Sequence, residues 1–346
     1  MSGTSLDGVD IACCTFSYKK QWKFTIEKAG TTHYTANWLK KLKEAHTRPV
    51  EKLMELDSAY GKFLGTLCNS FIGRNKIRNV DFISSHGHTI FHQPEKGFTL
   101  QIGNGNAIHA VSGLPVIYDF RSLDVAHGGQ GAPLVPVGDK LLFNEYDVCL
   151  NLGGIANISL DRKKDRIAFD VCYVNMGLNH LANKAGKKYD HDGMLASSGE
   201  VNKKLLIKLN RAYSKVKQKR PALAREFFET HIQPVLDGEN FPLQDRLRTF
   251  TESSAKEISE AILKSGKKVT VLCTGGGAFN SFLMYRLVEY CGDDATLIIP
   301  EDEVVNFKEA IVFAFLGVLR VRGEVNTLKS VTRSSKNNSS GVSIGF

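Results

Sequence analysis

No run of apolar residues in this chain is long enough to cross a bilayer; the longest, the AIVFAFLGV segment after Glu309, suits a buried helix instead. No charged-then-apolar signal segment opens the sequence, whose first residues are polar and glycine-rich. A disulfide framework is missing too. The seven cysteines (13, 14, 68, 149, 172, 273 and 291) are odd in number, lack paired spacing and fall mostly inside apolar runs. Reduced, buried thiols and a cytoplasmic location are therefore expected. There is no low-complexity linker and no short-period repeat. No loop reads Gly-Lys-Ser/Thr as a P-loop does, and none fits a dinucleotide fingerprint in strand–helix context, which leaves a dinucleotide-dependent oxidoreductase without support. Acid is absent from one stretch: Lys203 to Arg220 carries eight Lys/Arg and no Asp or Glu, within a formal net charge of +9. Leu205, Leu209, Ala212 and Val216 fall there at helical spacing, so the segment predicts an amphipathic helix with a basic outer face. A solvated face explains it plainly; a field that draws in anionic ligands is the functional alternative. Nucleic acid is not the expected partner, because only Tyr213 interrupts the charge with an aromatic ring.

What remains is an ordinary soluble composition, 42% hydrophobic and 23% charged over 346 residues, with room for two domains. Apolar, partly β-branched runs end repeatedly in glycine or polar loops: Val9–Thr15, VDFISSHGHT, FTLQIG, PVIYDF, YDVCLNLGG and KKVTVLCTGGG. LNLGGIANISL reads as a hairpin around a glycine pair. Helical periodicity is clear from Pro49 to Phe71 and recurs at 255–263, 279–287 and 309–321. Strands alternating with helices give an α/β architecture whose glycine turns sit at strand ends, where such folds keep ligands. The tail RSSKNNSSGVSIGF reads as loop.

Three strand-to-glycine elements stand out: MSGTSLDG, NLGGIAN and CTGGGAFN. Glycine lets backbone N–H groups approach a ligand and hydroxyls add donors, which is how phosphate is cradled, though each loop taken singly is equally a tight turn. A helical pattern follows the third, so an anion has a helix N-terminus there as well. His86, His88 and His92 have a ligand-like spacing but no accompanying acid or cysteine motif, so a structural or sugar-contacting role is the better reading.

Taken in order, MSGTSLDGVDIA, SSHGHTIFHQP, TLQIGN, DFRSLDVAHGGQGAPLVP, NLGGIANIS, FD with YDHDGMLASSG, CTGGGAFN and the closing SVT resemble the anhydro-N-acetylmuramic acid kinase family from end to end. That family belongs to the actin/hexokinase-like ATPase superfamily. The resemblance implies two ribonuclease-H-like lobes with an interdomain ATP/sugar cleft, here expected as 1–119 plus 317–346 and 120–316. It implies a kinase of cell-wall recycling that opens the 1,6-anhydro amino sugar with water while ATP phosphorylates the 6-oxygen, with homodimers frequent and no membrane partner. Gly3, Thr4, Ser5 and Gly8 would clamp phosphate, with Asp7 or Asp10 near Mg²⁺. Gly153, Gly154 and Asn157 would form the second phosphate hairpin, and Gly275, Gly276, Gly277 and Asn280 the adenosine end. Asp170, closing the strand RIAFD, would be the base that activates water, its plain alternative being a helix cap. Thr89, Arg121 and Glu309 would hold the sugar, Arg121 by its forked grip on the lactyl carboxylate.

Two stretches depart from the family pattern. After Asp170 the usual Gly-Pro-Gly turn is replaced by Val171-Cys172-Tyr173, residues that do not take positive φ cheaply, so the backbone there must follow another path. RPALARE keeps Arg225 and Glu226 but loses the family's Lys and Gly. A non-catalytic or altered-specificity sugar- or nucleotide-binding relative is the alternative these changes keep open. The family's first loop also follows a short apolar strand beside Val9–Thr15, whereas here the loop begins at Met1. The expectation is that the natural protein extends several apolar residues upstream and that Met1 is an internal methionine.

Overall fold

Among the described residues, twelve strands form, most of them where apolar runs end in glycine or polar loops. The first six are β1 (Gly8–Tyr18), β2 (Trp22–His33), β3 (Ile83–Ser85), β4 (His88–Gln93), β5 (Phe98–Ile102) and β6 (Val116–Tyr118). They are followed by β7 (Val148–Leu152), β8 (Ile155–Arg162), β9 (Asp165–Tyr173), β10 (Val269–Thr274), β11 (Ala295–Ile298) and β12 (Val342–Ile344). The computed structural model describes residues 1–3, 6–219, 223–238 and 240–346. Thr4 and Ser5 of the expected phosphate clamp lie outside the described residues.

Residues 1–142 with 307–346 make one compact unit and 143–306 a second. Compared with the expected boundaries, 120–142 and 307–316 join the first unit. The physical reason is aromatic and ionic packing: Phe120 and Phe313 meet edge to face at 5.7 Å, and Lys308 pairs with buried Asp139 at 2.7 Å.

The second unit is built on one sheet ordered β11-β10-β7-β8-β9. β7, β10 and β11 run parallel, and β8 is reversed against both β7 and β9. A hairpin-initiated sheet with its second strand reversed is the ribonuclease-H-like arrangement. Leu150, Leu152 and Ile158 are fully buried in it against Phe250 and Ile258 of the helix Leu243–Leu263. The basic segment is a helix, Lys203–Lys219, burying Leu205, Leu209 and Tyr213 while Ile207 faces outward.

In the first unit β1 and β2 form an antiparallel ribbon bulged at Cys13/Cys14, and β4 and β5 form a hairpin. A third sheet has the order β12-β6-β3. The helix Val50–Arg74 lies close against the helix Gly105–Ser112 because Gly61 and Gly65 carry no side chain; a Cβ on either would sit 2.9 Å from Ala107 or Val111. The tail is not loose. Its β12 pairs with β6, and Ser334, Asn338 and Ser340 are buried.

Among the described residues, β1 has a ladder partner strand only in β2, and β3 only in β6. Their remaining edges line one cavity of about 760 Å³, closed by Cys68 and Phe71 of the helix Val50–Arg74 and by Phe313 and Val318 of the helix Asp302–Val321. Met1 lines it, exchanging two backbone bonds with Asp10 at 2.7 and 2.8 Å, and burial lowers the pKa of its ammonium group.

Candidate active site

In the first unit the opening loop is tied down at both ends. Ser2, 2% exposed, shares its hydroxyl with Tyr34 at 2.6 Å and His88 Nδ1 at 2.8 Å, and the Leu6 amide donates to the Gly3 carbonyl at 3.3 Å. Leu6 takes a positive φ of 61°. Gly8 has a reason beyond ligand binding. It pairs with His33 in the ribbon, where a Cβ would stand 2.5 Å from the Thr32 carbonyl oxygen. Asp10 accepts a hydrogen bond from Thr31 Oγ1 at 2.6 Å, while Asp7 is exposed on the turn before β1.

The three expected sugar contacts belong to this unit. Arg121 follows β6, donating Nε to His86 Nε2 at 3.0 Å and Nη1 to the Gly131 carbonyl at 2.6 Å, with its guanidinium over the Phe313 ring. His86 donates Nδ1–H to the Gly87 carbonyl at 3.1 Å, and burial, then the Arg121 charge, hold its pKa well below the usual value. It therefore stays neutral and presents a lone pair to Arg121. Glu309 does not head its helix; the helix starts at Asp302 and the acid sits in its third turn, so a capping role is excluded. Its side chain keeps an open face, yet desolvation by the surrounding protein raises its pKa, opposed by the Arg121 charge. Thr89 stands opposite Gln101 across β4 and β5 and accepts from its Nε2 at 3.4 Å. Gln101 Oε1 is buried without a hydrogen-bond partner, an acceptor that the alternation of FTLQIG alone did not single out.

Behind Arg121 lies a knot joining two of the sequence motifs. Asp124, fully buried, accepts from the Gly131 amide at 2.8 Å, Thr332 Oγ1 at 2.9 Å and Asn338 Nδ2 at 3.1 Å. It thus binds the AHGGQGAP loop to the closing SVT segment, and the carbonyl of the same Gly131 grips Arg121.

In the second unit, one registered row of polar residues crosses four strands: Thr274 on β10 beside Asn151 on β7, then Asn157 on β8, then Asp170 on β9. Directly paired residues share a sheet face. Asn157 and Asp170 were expected from sequence; Asn151 and Thr274 become visible only through the register. Gly153 and Gly154 turn β7 into β8, and their carbonyls accept the amides of Val174, Asn175 and Met176 at the start of the helix Asn175–Asn183. Gly275 leaves β10 with a φ of 82° and leads through a short turn at Gly276–Phe279 into the helix Ser281–Cys291. Asn280 caps that helix, its Oδ1 accepting the Leu283 amide at 2.9 Å. The YDHDGMLASSG motif braces the same turn: Ser281 donates to Asp192 at 3.0 Å, and Asp190 takes the amides of Leu195 and Ala196 at 2.8 and 3.0 Å.

Asp170 does not end its strand. β9 continues to Tyr173, with a register shift that leaves Val171 as the extra residue. A bulge of this kind re-aims the side chain beside it. No residue from 171 to 175 takes positive φ, so the backbone here follows the other path that the β-branched and aromatic residues require. The helix cap is Val174, which leaves the Asp170 carboxylate free of that duty. Its Oδ2 accepts the Leu223 amide at 2.8 Å; desolvation raises its pKa, and that hydrogen bond opposes the rise. Among the described residues no group of three or more His, Cys, Asp or Glu is arranged to hold a metal ion.

The family model for "Anhydro-N-acetylmuramic acid kinase" matches residues 1–345. Curated proteins of that name resemble the chain along almost their whole length. The one from Saccharophagus degradans is 31% identical over 352 residues, covering 97% of this chain and 95% of its own. The one from Shewanella sp. (strain ANA-3) is 32% identical over 357 residues, covering 97% and 95%. The one from Sulfurimonas denitrificans is 32% identical over 352 residues, covering 96% and 94%. A solved structure, the activator of the 2-hydroxyisocaproyl-CoA dehydratase from Clostridium difficile with bound ADPNP, is similar more loosely: 14% identity, a TM-score of 0.36, and coverage of 65% of this chain and 87% of its own.

Proposed function

The chain belongs to the anhydro-N-acetylmuramic acid kinase family, and from that premise we propose that it uses water and ATP to convert 1,6-anhydro-N-acetylmuramic acid into the opened 6-phosphate. The match along residues 1–345 is the observation that carries this reading. The chemistry asks for a base for water, an anchor for the sugar and donors for phosphate. Asp170 is the base. It takes the proton as the water oxygen bonds to the anomeric carbon; the electron pair of the broken C1–O6 bond goes to O6, which takes the γ-phosphoryl group as ADP leaves. One carboxylate oxygen is oriented by the Leu223 amide, and we assign the work on water to the other. Desolvation moves Asp170 upward from the ordinary carboxylate value toward the range where a general base is effective.

Arg121 anchors the lactyl carboxylate, its Nε and one Nη fixed by His86 and Gly131 so that the rest of the fork is held in one orientation. Glu309, Thr89 and Gln101 Oε1 complete the sugar contacts. The turn at Gly275–Gly277, which leads to the N-terminus of the helix Ser281–Cys291, suits phosphate and nucleotide, and the glycine pair at 153–154 allows close backbone approach. Mg²⁺ usually takes one or two protein carboxylates and leaves its remaining positions to phosphate and water, so Asp7 and Asp10 fit it without a larger cluster. When bound, it neutralises developing charge on the phosphate oxygens.

The altered turn after Asp170 is the one observation that favours a non-catalytic relative. The bulge at Val171 and the Leu223 amide speak against that reading, because both orient the acid. A coupled assay of ATP consumption against anhydro-N-acetylmuramic acid and ordinary amino sugars is the test. Turnover is expected with the anhydro sugar and requires ATP; binding without ADP release would establish the non-catalytic relative instead.

A further inference from the structure

The two departures from the family pattern meet around Asp170. Tyr173, from the first, is fully buried, with its ring among Tyr213, Phe227 and Phe228. Its backbone is held twice: its amide donates to Tyr213 Oη at 3.2 Å, and its carbonyl accepts from Ser254 Oγ at 3.0 Å. Its hydroxyl donates to the Ala224 carbonyl, in the second departure, at 2.7 Å. One residue earlier, the Leu223 amide donates to Asp170 Oδ2 at 2.8 Å. Residues 170 and 173 of one strand therefore grip residues 223 and 224 of another segment. A phenylalanine would fill the same aromatic pocket but lose the hydroxyl's contact with the Phe228 backbone and its short bond to the Ala224 carbonyl, which the Phe228 amide reaches less closely, at 3.3 Å.

We propose that Tyr173 is a positioning residue for Asp170: by holding the Ala224 carbonyl it keeps the Leu223 amide on one carboxylate oxygen and leaves the other to the reacting water. The two departures are then one paired change that replaces a glycine turn with a tyrosine clamp. This rests on the reading of Asp170 as the base. The consequence for pH follows from the clamp. A donor on the ionised carboxylate lowers its pKa, so releasing Leu223 lets burial raise it further. Among the described residues, the other ionisable groups about the clamp are Cys172 on β9, Tyr213 from the helix Lys203–Lys219, Glu226, whose charge acts on Tyr173, and buried Glu257 of the helix Leu243–Leu263, whose charge acts on Tyr213.

Tyr173→Phe tests the clamp in the full chain. Its kcat should fall by roughly 10- to 100-fold, the scale of a small misplacement of a reacting group, with KM for ATP unchanged. The acidic limb of the kcat–pH profile should move to higher pH, since the base must be ionised and now binds its proton more tightly. Leu223→Pro, which deletes the amide donor itself, should move the limb the same way. Loss of activity with an unmoved limb, full kcat, or a collapse of the melting temperature would each overturn the positioning role. Asp170→Asn separates the two claims. Near-normal turnover in that variant overturns the base, whereas an inactive Asp170→Asn beside an unaffected Tyr173→Phe overturns the clamp alone.

Discussion

Replacing Asp124 with alanine should damage stability first and sugar binding second. The side chain is fully buried and takes hydrogen bonds from the Gly131 amide, Thr332 Oγ1 and Asn338 Nδ2. Truncation strands all three donors where water cannot readily replace the acceptor. A buried donor left unsatisfied costs about 1–3 kcal/mol, and partial relaxation of the loop should bring the sum to roughly 3–5 kcal/mol. Asp124→Asn keeps one oxygen but places an NH₂ against one of the donors, so it should fall between wild type and alanine. Urea denaturation followed by circular dichroism reads the free energy, and KM for the sugar reads the second effect. That effect follows because the carbonyl of the same Gly131 holds Arg121. A loss under about 1 kcal/mol, the scale of an ordinary surface change, would show that the knot does not organise the loop.

If Asp170 is the base, Asp170→Asn should bind ATP normally while turnover drops by at least ~10²-fold, read by steady-state kinetics and nucleotide titration. Arg121→Lys keeps a charge but loses the fork and the Nε bond to His86, so calorimetry should find weaker sugar binding and unchanged ATP binding; a loss on the ATP side refutes the assignment. His88, buried and bonded to Ser2, has its pKa depressed by desolvation to about 4. The unfolded chain then binds the proton first, so the stability it contributes is complete above about pH 6.5 and is lost as pH falls toward 4. The loss should reach at most ~3 kcal/mol, and His88→Gln should flatten the melting curve's pH dependence between 6.5 and 5.

Local signals were legible wherever one element decided the outcome. The glycine pair at 153–154 announced a hairpin, and the periodicity from Pro49 announced a helix that runs to Arg74. Elements set by distant partners were not. Asp124 meets Thr332 across 208 residues, and no spacing rule reports such a pairing. Asn151 and Thr274 join the row at Asp170 only once strand order and register are known. Glu309 was expected to head its helix because the apolar run begins just after it; the turns from Asp302 belong to the same helix, with Asp302, Glu303 and Asn306 exposed and Lys308 buried against Asp139. The polar tail read as loop because what anchors it is hydrogen bonding by Ser334 Oγ, Asn338 Nδ2 and the Ser340 amide rather than apolar packing.

The cavity between β1 and β3 bears on how this protein behaves at high concentration. Strand edges that lack a ladder partner are templates for any extended chain that reaches them. Here both edges border one space with apolar and charged walls, and Met1 already takes the Asp10 position of the β1 edge. The same chemistry accepts a segment of the chain itself or one borrowed from a neighbour. Pairing of that kind would make self-association rise with protein concentration, a tendency that the net charge of +9 opposes.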